Sequence, residues 1–117
     1  MSQKLTGDYG IMVRVKDLEK SSSWYCSHLG FTLGPHNFND FVELHINGIN
    51  VLHLLRSDDL RPMTKANFAL YINDSDGLHK NLKEKGVTVT DITRRSDHAE
   101  FSLTDLDGNT IGLTHWF

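Results

Sequence analysis

Two stretches of the chain open with the same pattern of apolar and polar positions. Ile11-Met12-Val13-Arg14-Val15 and Phe68-Ala69-Leu70-Tyr71-Ile72 are β-rich runs, and each is followed shortly by an aspartate, Asp17 or Asp74. An aspartate ahead of a helical pattern acts as an N-cap, because its carboxylate accepts hydrogen bonds from the free N–H groups of the first turn. After Asp17, Leu18, Ser22, Tyr25 and Leu29 recur at spacings of 4, 3 and 4, which places them on one helix face. After Asp74, Leu78 and Leu82 share a face while Lys80, Lys83 and Glu84 face water. Gly30 and Gly86 then close the two helices, since glycine tolerates the left-handed backbone of a helix C-terminus. A strand is predicted after each, at Phe31-Thr32-Leu33 and at Val87-Thr88-Val89.

Hairpins complete both stretches. Residues 41–46 lead into Asn47-Gly48, a strong two-residue turn signal, and residues 49–55 return. Residues 100–104 lead into Asp105-Leu106-Asp107-Gly108-Asn109, and residues 110–116 return. The order is therefore β-α-β-β-β twice. It implies an α+β domain built from two copies of one supersecondary unit, module one at about 8–57 and module two at about 66–117. The intervening residues 58–65, with Pro62, read as a linker.

Composition narrows the class. The 117 residues suffice for a single domain with a real core. A 38% hydrophobic and 23% charged content is that of an ordinary globular protein. A net charge of −3 offers no electrostatic attraction to nucleic acid or an anionic membrane. No apolar run approaches the roughly 20 residues of a membrane helix, and the first ten residues lack the apolar core of a signal peptide. The single cysteine, Cys26, excludes an intrachain disulfide, and a reducing cytoplasm is the expected location. Cys26 has no sequence-adjacent base to activate it.

The repeated unit carries a family likeness. Val13-x-Val15-x-Asp17-Leu18-Glu19-Lys20-Ser21, followed by Trp24-Tyr25 and Leu29-Gly30-Phe31, resembles the opening of a vicinal oxygen chelate protein, of the glyoxalase/bleomycin resistance/dioxygenase type. Asp105-x-Asp107-Gly108-Asn109-x-Ile111 resembles the family's closing turn, with Leu106 where proline is usual. The likeness covers nearly the whole chain. It implies two βαβββ modules forming a half-open barrel around a small-molecule cavity, in a protein that commonly forms homodimers.

The resemblance also implies four metal-ligand positions, two per module. They fall on Gly10 and His53 in module one and on Asn67 and Gly112 in module two. Glycine has no ligating side chain and asparagine is a weak ligand, whereas a catalytic metal typically needs about three protein ligands. No metal or other cofactor is therefore expected. A divalent metal acting as a Lewis acid belongs to the alternative reading only.

Strand alternation supplies the rest of the expected pocket. Gly10, Met12 and Arg14 share one face of the first strand; Val51, His53 and Leu55 share one face of the fourth. Asn67, Ala69 and Tyr71 follow on the fifth, and Thr110, Gly112, Thr114 and Trp116 on the last. This wall is expected to be apolar and aromatic with few polar groups, suited to a flat or apolar small molecule. Met12, Arg14, His53, Asn67, Tyr71 and Trp116 are the candidate ligand-binding residues. Arg14 falls where glyoxalase-like members carry an arginine that contacts a substrate carboxylate, and a rim ion pair within the chain is the competing role. Tyr71 and Trp116 are candidates for stacking on a ring. His53 is a catalytic candidate, as a neutral cavity histidine able to exchange a proton near neutral pH.

The other six histidines read as structural: His28 at a helix end, His36 in a loop, His45 beside the Asn-Gly turn, His79 on a polar helix face, His98 in a loop-like stretch and His115 on the strand parity opposite Gly112. No His-Glu-x-x-His pattern, Ser-His-Asp arrangement or phosphate-cradling loop occurs. Three functions fit these residues: a metal-free binder of a small, partly aromatic compound; a metal-dependent lyase, isomerase or dioxygenase; and a metal-free enzyme using His53 or Glu43 as base.

Overall fold

A computed structural model describes residues 3–59 and 61–117. The chain divides into two compact units at residues 60 and 61. In module one, strand β1 (Ile11–Val15) leads into helix α1 (Leu18–Leu29), followed by β2 (Thr32–His36), β3 (Phe41–Ile46) and β4 (Ile49–Arg56). Module two repeats the order with β5 (Ala69–Tyr71), α2 (Ser75–Glu84), β6 (Thr93–Arg94), β7 (His98–Thr104) and β8 (Thr110–Trp116). The sheet orders are β1-β4-β3-β2 and β5-β8-β7-β6, so in each module the first strand pairs in parallel with the last.

The caps form as their residue types require. The Asp17 carboxylate accepts from the Lys20 N–H at 3.0 Å, and Gly30 ends α1 at φ 75° with its N–H on the Cys26 carbonyl. The Asp74 carboxylate accepts from the Gly77 N–H at 3.0 Å, and Gly86 follows α2 at φ 81°. Asn47 and Gly48 both take positive φ, 52° and 77°, which gives the hairpin a turn whose twist matches its strands.

One face of each sheet packs under its helix. In module one Val13, Val15, Val42, Leu44, Leu52 and Leu54 are fully buried beside Leu18 and Tyr25. In module two Ala99, Phe101, Leu103, Ile111 and Leu113 are buried with Leu82. Alternation forces the intervening residues onto the opposite, open face.

Four expectations change. Val87-Thr88-Val89 is not a strand; only an isolated bridge from Val89 to Leu103 forms there, and the two-residue β6 replaces it further on. The chain still bonds to β7, from Thr90 N–H to the Ser102 carbonyl, while the Thr90 hydroxyl accepts the Ser102 N–H and so breaks the regular ladder. His36 ends β2 and His98 begins β7, rather than lying in loops. His79 is not simply solvated: its Nε2 lies 2.9 Å from the Thr90 carbonyl and its ring meets Phe101 edge-on at 5.0 Å.

The segment just after residue 60 is tied to module two. The Met63 N–H donates to Asn109 Oδ1 at 2.9 Å, and the Thr110 N–H donates to the Met63 carbonyl at 2.7 Å. Asp105 anchors the turn: its Oδ1 accepts from the N–H groups of Asp107 and Asn109, and its Oδ2 from the Asn109 amide at 3.1 Å. Asp105 and Asn109 are thus the buried, hydrogen-bonded ends of this turn.

Candidate functional site

Module one offers two rows of side chains on its open face. Register pairs Met12 with His53 and His53 with Glu43; the next row runs Arg14, Leu55, Phe41. Met12, Arg14 and His53 therefore lie on one face, as alternation predicts. The Asn50 amide donates to His53 Nε2 at 2.6 Å, so that nitrogen acts as acceptor and is already engaged. Glu43 Oε1 lies 3.2 Å from His45 Nε2.

Module two carries an open cavity of about 420 Å³ on the equivalent face. That volume falls in the range of roughly 300–1,000 Å³ of small-molecule sites. Register sets out its floor and sides. Ala69, Gly112 and Ser102 form one row, and Thr114, Glu100 and Thr93 the next. Asn67 lines the cavity as well. Tyr71 and Trp116 lie beyond its lining, exposed by 74% and 50%, with their rings edge-to-face at 6.1 Å.

Gly112 is fixed by its surroundings. A Cβ added there would come within 2.8 Å of the Phe68 carbonyl oxygen, which belongs to the backbone and has little room to yield. The glycine is what lets the chain before β5 lie against β8. At Gly10 an added Cβ would meet only the Met12 methyl, at 3.2 Å, the flexible end of a side chain.

The cavity wall differs from the apolar, aromatic surface expected. It is mainly polar, with Thr90, Asp91, Thr93, Glu100, Ser102 and Thr114 among its lining residues. Most of these come from β6, β7 and the irregular chain between α2 and β6, which the first-and-last-strand reading left out. A signal was present: in His98-Ala99-Glu100-Phe101-Ser102-Leu103-Thr104 polar and apolar residues alternate strictly.

A charged cluster sits beside the cavity. His98 Nδ1 lies 2.7 Å from Asp97 Oδ1 and its Nε2 3.3 Å from Glu100 Oε2, while the Trp116 ring covers it at 4.8 Å. The hydrogen bond to Asp97 raises the His98 pKa above the ordinary imidazole value, with help from Glu100, against partial burial. The same bond lowers the Asp97 pKa. Arg95 adds a 3.6 Å contact to the other Glu100 oxygen. On the helix side of β8, His115 Nδ1 receives the Ser75 N–H at 3.3 Å, which makes it a helix-end contact. Cys26 is half-buried, and burial raises its pKa, opposite to what a reactive thiolate needs.

A sequence profile of the Glyoxalase/Bleomycin resistance protein/Dioxygenase superfamily matches residues 10–113, and the chain belongs to that family. No curated protein matches it. Solved structures share the fold over nearly the full length. An integron cassette protein from the mobile metagenome of a Halifax Harbour sewage outfall is similar at 25% identity, with TM-score 0.80 and 95% and 99% of the two chains covered. TnmS3, an antibiotic binding protein from Streptomyces sp. CB03234, is similar at 22% identity, TM-score 0.72, covering 97% and 99%. The fosfomycin resistance protein FosX from Listeria monocytogenes is similar at 19% identity, TM-score 0.78, covering 97% and 95%.

The residues do not fit the metal that the family likeness implies. At the positions the likeness implies, module one supplies His53 and a glycine, and module two supplies an amide and a glycine whose added Cβ would press on the Phe68 carbonyl. Among the described residues no group of three His, Cys, Asp or Glu side chains is placed to hold a metal ion. No helix among them is long and apolar enough to cross a membrane.

Proposed function

We propose that this protein captures a small, partly aromatic compound by non-covalent binding and does so without a metal. The observation that carries this reading is Gly112: it stands at a family ligand position yet has no donor side chain, and an added Cβ would lie 2.8 Å from the Phe68 carbonyl oxygen unless the backbone shifted. The module-two cavity supports a small-molecule ligand, and the exposed Tyr71–Trp116 pair beside it supports an aromatic group on that ligand. Met12, Arg14 and His53 share the open face of module one and are proposed as ligand-contacting residues of that module. TnmS3, which shares the fold, is an antibiotic binding protein, and the reading gives this chain a comparable role. A homodimer in the cytoplasm is the proposed setting, with size-exclusion chromatography and light scattering as the check on assembly.

The test has two arms. Protein purified without chelator and soaked with nickel, zinc, manganese or ferrous iron is expected to retain well below one metal per chain. Aromatic metabolites and antibiotics are then screened by thermal shift, and saturable stabilisation without turnover is expected. Stoichiometric metal that is lost in His53→Ala would sink the metal-free reading in favour of a metal-dependent lyase, isomerase or dioxygenase.

A further inference from the structure

We propose that the module-two cavity recognises a ligand bearing hydroxyl groups and a protonated amine. This rests on the small-molecule reading above and narrows it to a chemical class.

The cavity's hydrogen-bonding groups set that class. Thr114 is only 7% exposed, yet its hydroxyl makes no hydrogen bond among the described residues, and it lines the cavity. The Thr114 oxygen is not among the sealed polar atoms left without a partner, so it is open to the cavity, where water or a ligand can satisfy it. The Ser102 and Thr93 hydroxyls line the same cavity, also without side-chain partners among the described residues. Three such groups, with the Asn67 amide, both donate and accept, which suits a ligand of several hydroxyls.

Charge sets the rest. Two carboxylates, Asp91 and Glu100, line the cavity, and none of its lining residues is basic. Glu100 is partly balanced by His98 and Arg95. Asp91 has no ion-pair or hydrogen-bond partner among the described residues. An ammonium group on the ligand would give it a charge-assisted bond, whereas an anionic ligand would meet two like charges.

Chemical-shift mapping on the 15N-labelled full chain tests this, with four probes: glucosamine, its neutral counterpart N-acetylglucosamine, the anion glucuronate, and phenyl β-glucoside. Glucosamine is expected to shift the amides of Ser102, Gly112 and Thr114 and to bind about tenfold more tightly than N-acetylglucosamine, with glucuronate weakest. Asp91→Asn should abolish the preference for the amine. Thr114→Val, close in shape, should weaken both sugars together. Glucuronate binding as well as glucosamine, or shifts confined to residues outside the cavity, would overturn the proposal. If phenyl β-glucoside binds near Tyr71 and Trp116 and the amine makes no difference, this proposal falls and small-molecule capture stands. If none of the four binds and the aromatic screen is also blank, both fall.

Discussion

In module one the central row of the open face reads Met12, His53, Glu43; in module two the same row reads Ala69, Gly112, Ser102. The helix-facing sides of the two sheets hardly differ in character, both being packed with Val, Leu, Ile or Phe. One backbone plan thus carries two unlike surfaces. Burial under a helix constrains one side to large apolar residues, and the open side is free to vary. In module one the result is a face of long side chains. In module two small residues leave a cavity.

Putting the family's ligand types back into both modules would sharpen this contrast most. Gly112→Glu forces a Cβ against the Phe68 carbonyl and should cost about 3 kcal/mol, the upper end of overpacking penalties, read from urea unfolding midpoints. It should also shrink the cavity and abolish any ligand-induced thermal shift. A variant as stable as the parent would mean that the segment before β5 moves freely, and that space does not explain the glycine. Asn109→Ala comes next. It strands the Met63 N–H and loosens the Asp105 carboxylate, so about 2 kcal/mol should be lost. Hydrogen exchange should rise around the β7–β8 turn and leave β3–β4 unchanged. Gly10→His, the counterpart in module one, displaces only the Met12 methyl and should change stability by less than about 0.5 kcal/mol.

The smallest effect concerns pH. The imidazolium of His98 is favoured by its bond to Asp97, so its stabilisation is complete below the ordinary value of 6.5 and fades as pH rises through the higher folded value. The lowered Asp97 pKa adds stability above the ordinary carboxylate value of 3.8, lost as pH falls through the folded value. NMR titration of the His98 ring should show its midpoint above 6.5 and, in Asp97→Asn, closer to it. An unchanged midpoint in that variant would show that Glu100 and not Asp97 holds the ring.

Local rules made much of the fold legible. Asp17 and Asp74 as caps, Gly30 as the helix stop and Asn47-Gly48 as the turn all depend on neighbours close in sequence. Alternation placed Met12, Arg14 and His53 on one face because β1 and β4 are regular. It failed at Val87-Thr88-Val89, where the Thr90 side chain takes a ladder bond and no residue pattern announces it. The cavity wall was half-read for a similar reason. The alternation in β7 is plain, but the contribution of Thr90, Asp91 and Thr93 depends on how an irregular segment bends back onto the sheet. The space requirement at Gly112 was also invisible, since it is set by a carbonyl 44 residues earlier in the chain, that of Phe68.

The parallel pairing of first and last strands has a consequence for synthesis. β1 emerges from the ribosome well before β4, and β5 well before β8. Each must wait for about 40 further residues, which at roughly 5–20 residues per second is about 2–8 s. During that interval an apolar strand has no partner and its backbone groups are open to other chains. Twice per molecule, then, the nascent protein passes through a window of exposure to misassociation, and the second window opens after the first module has had its chance to close.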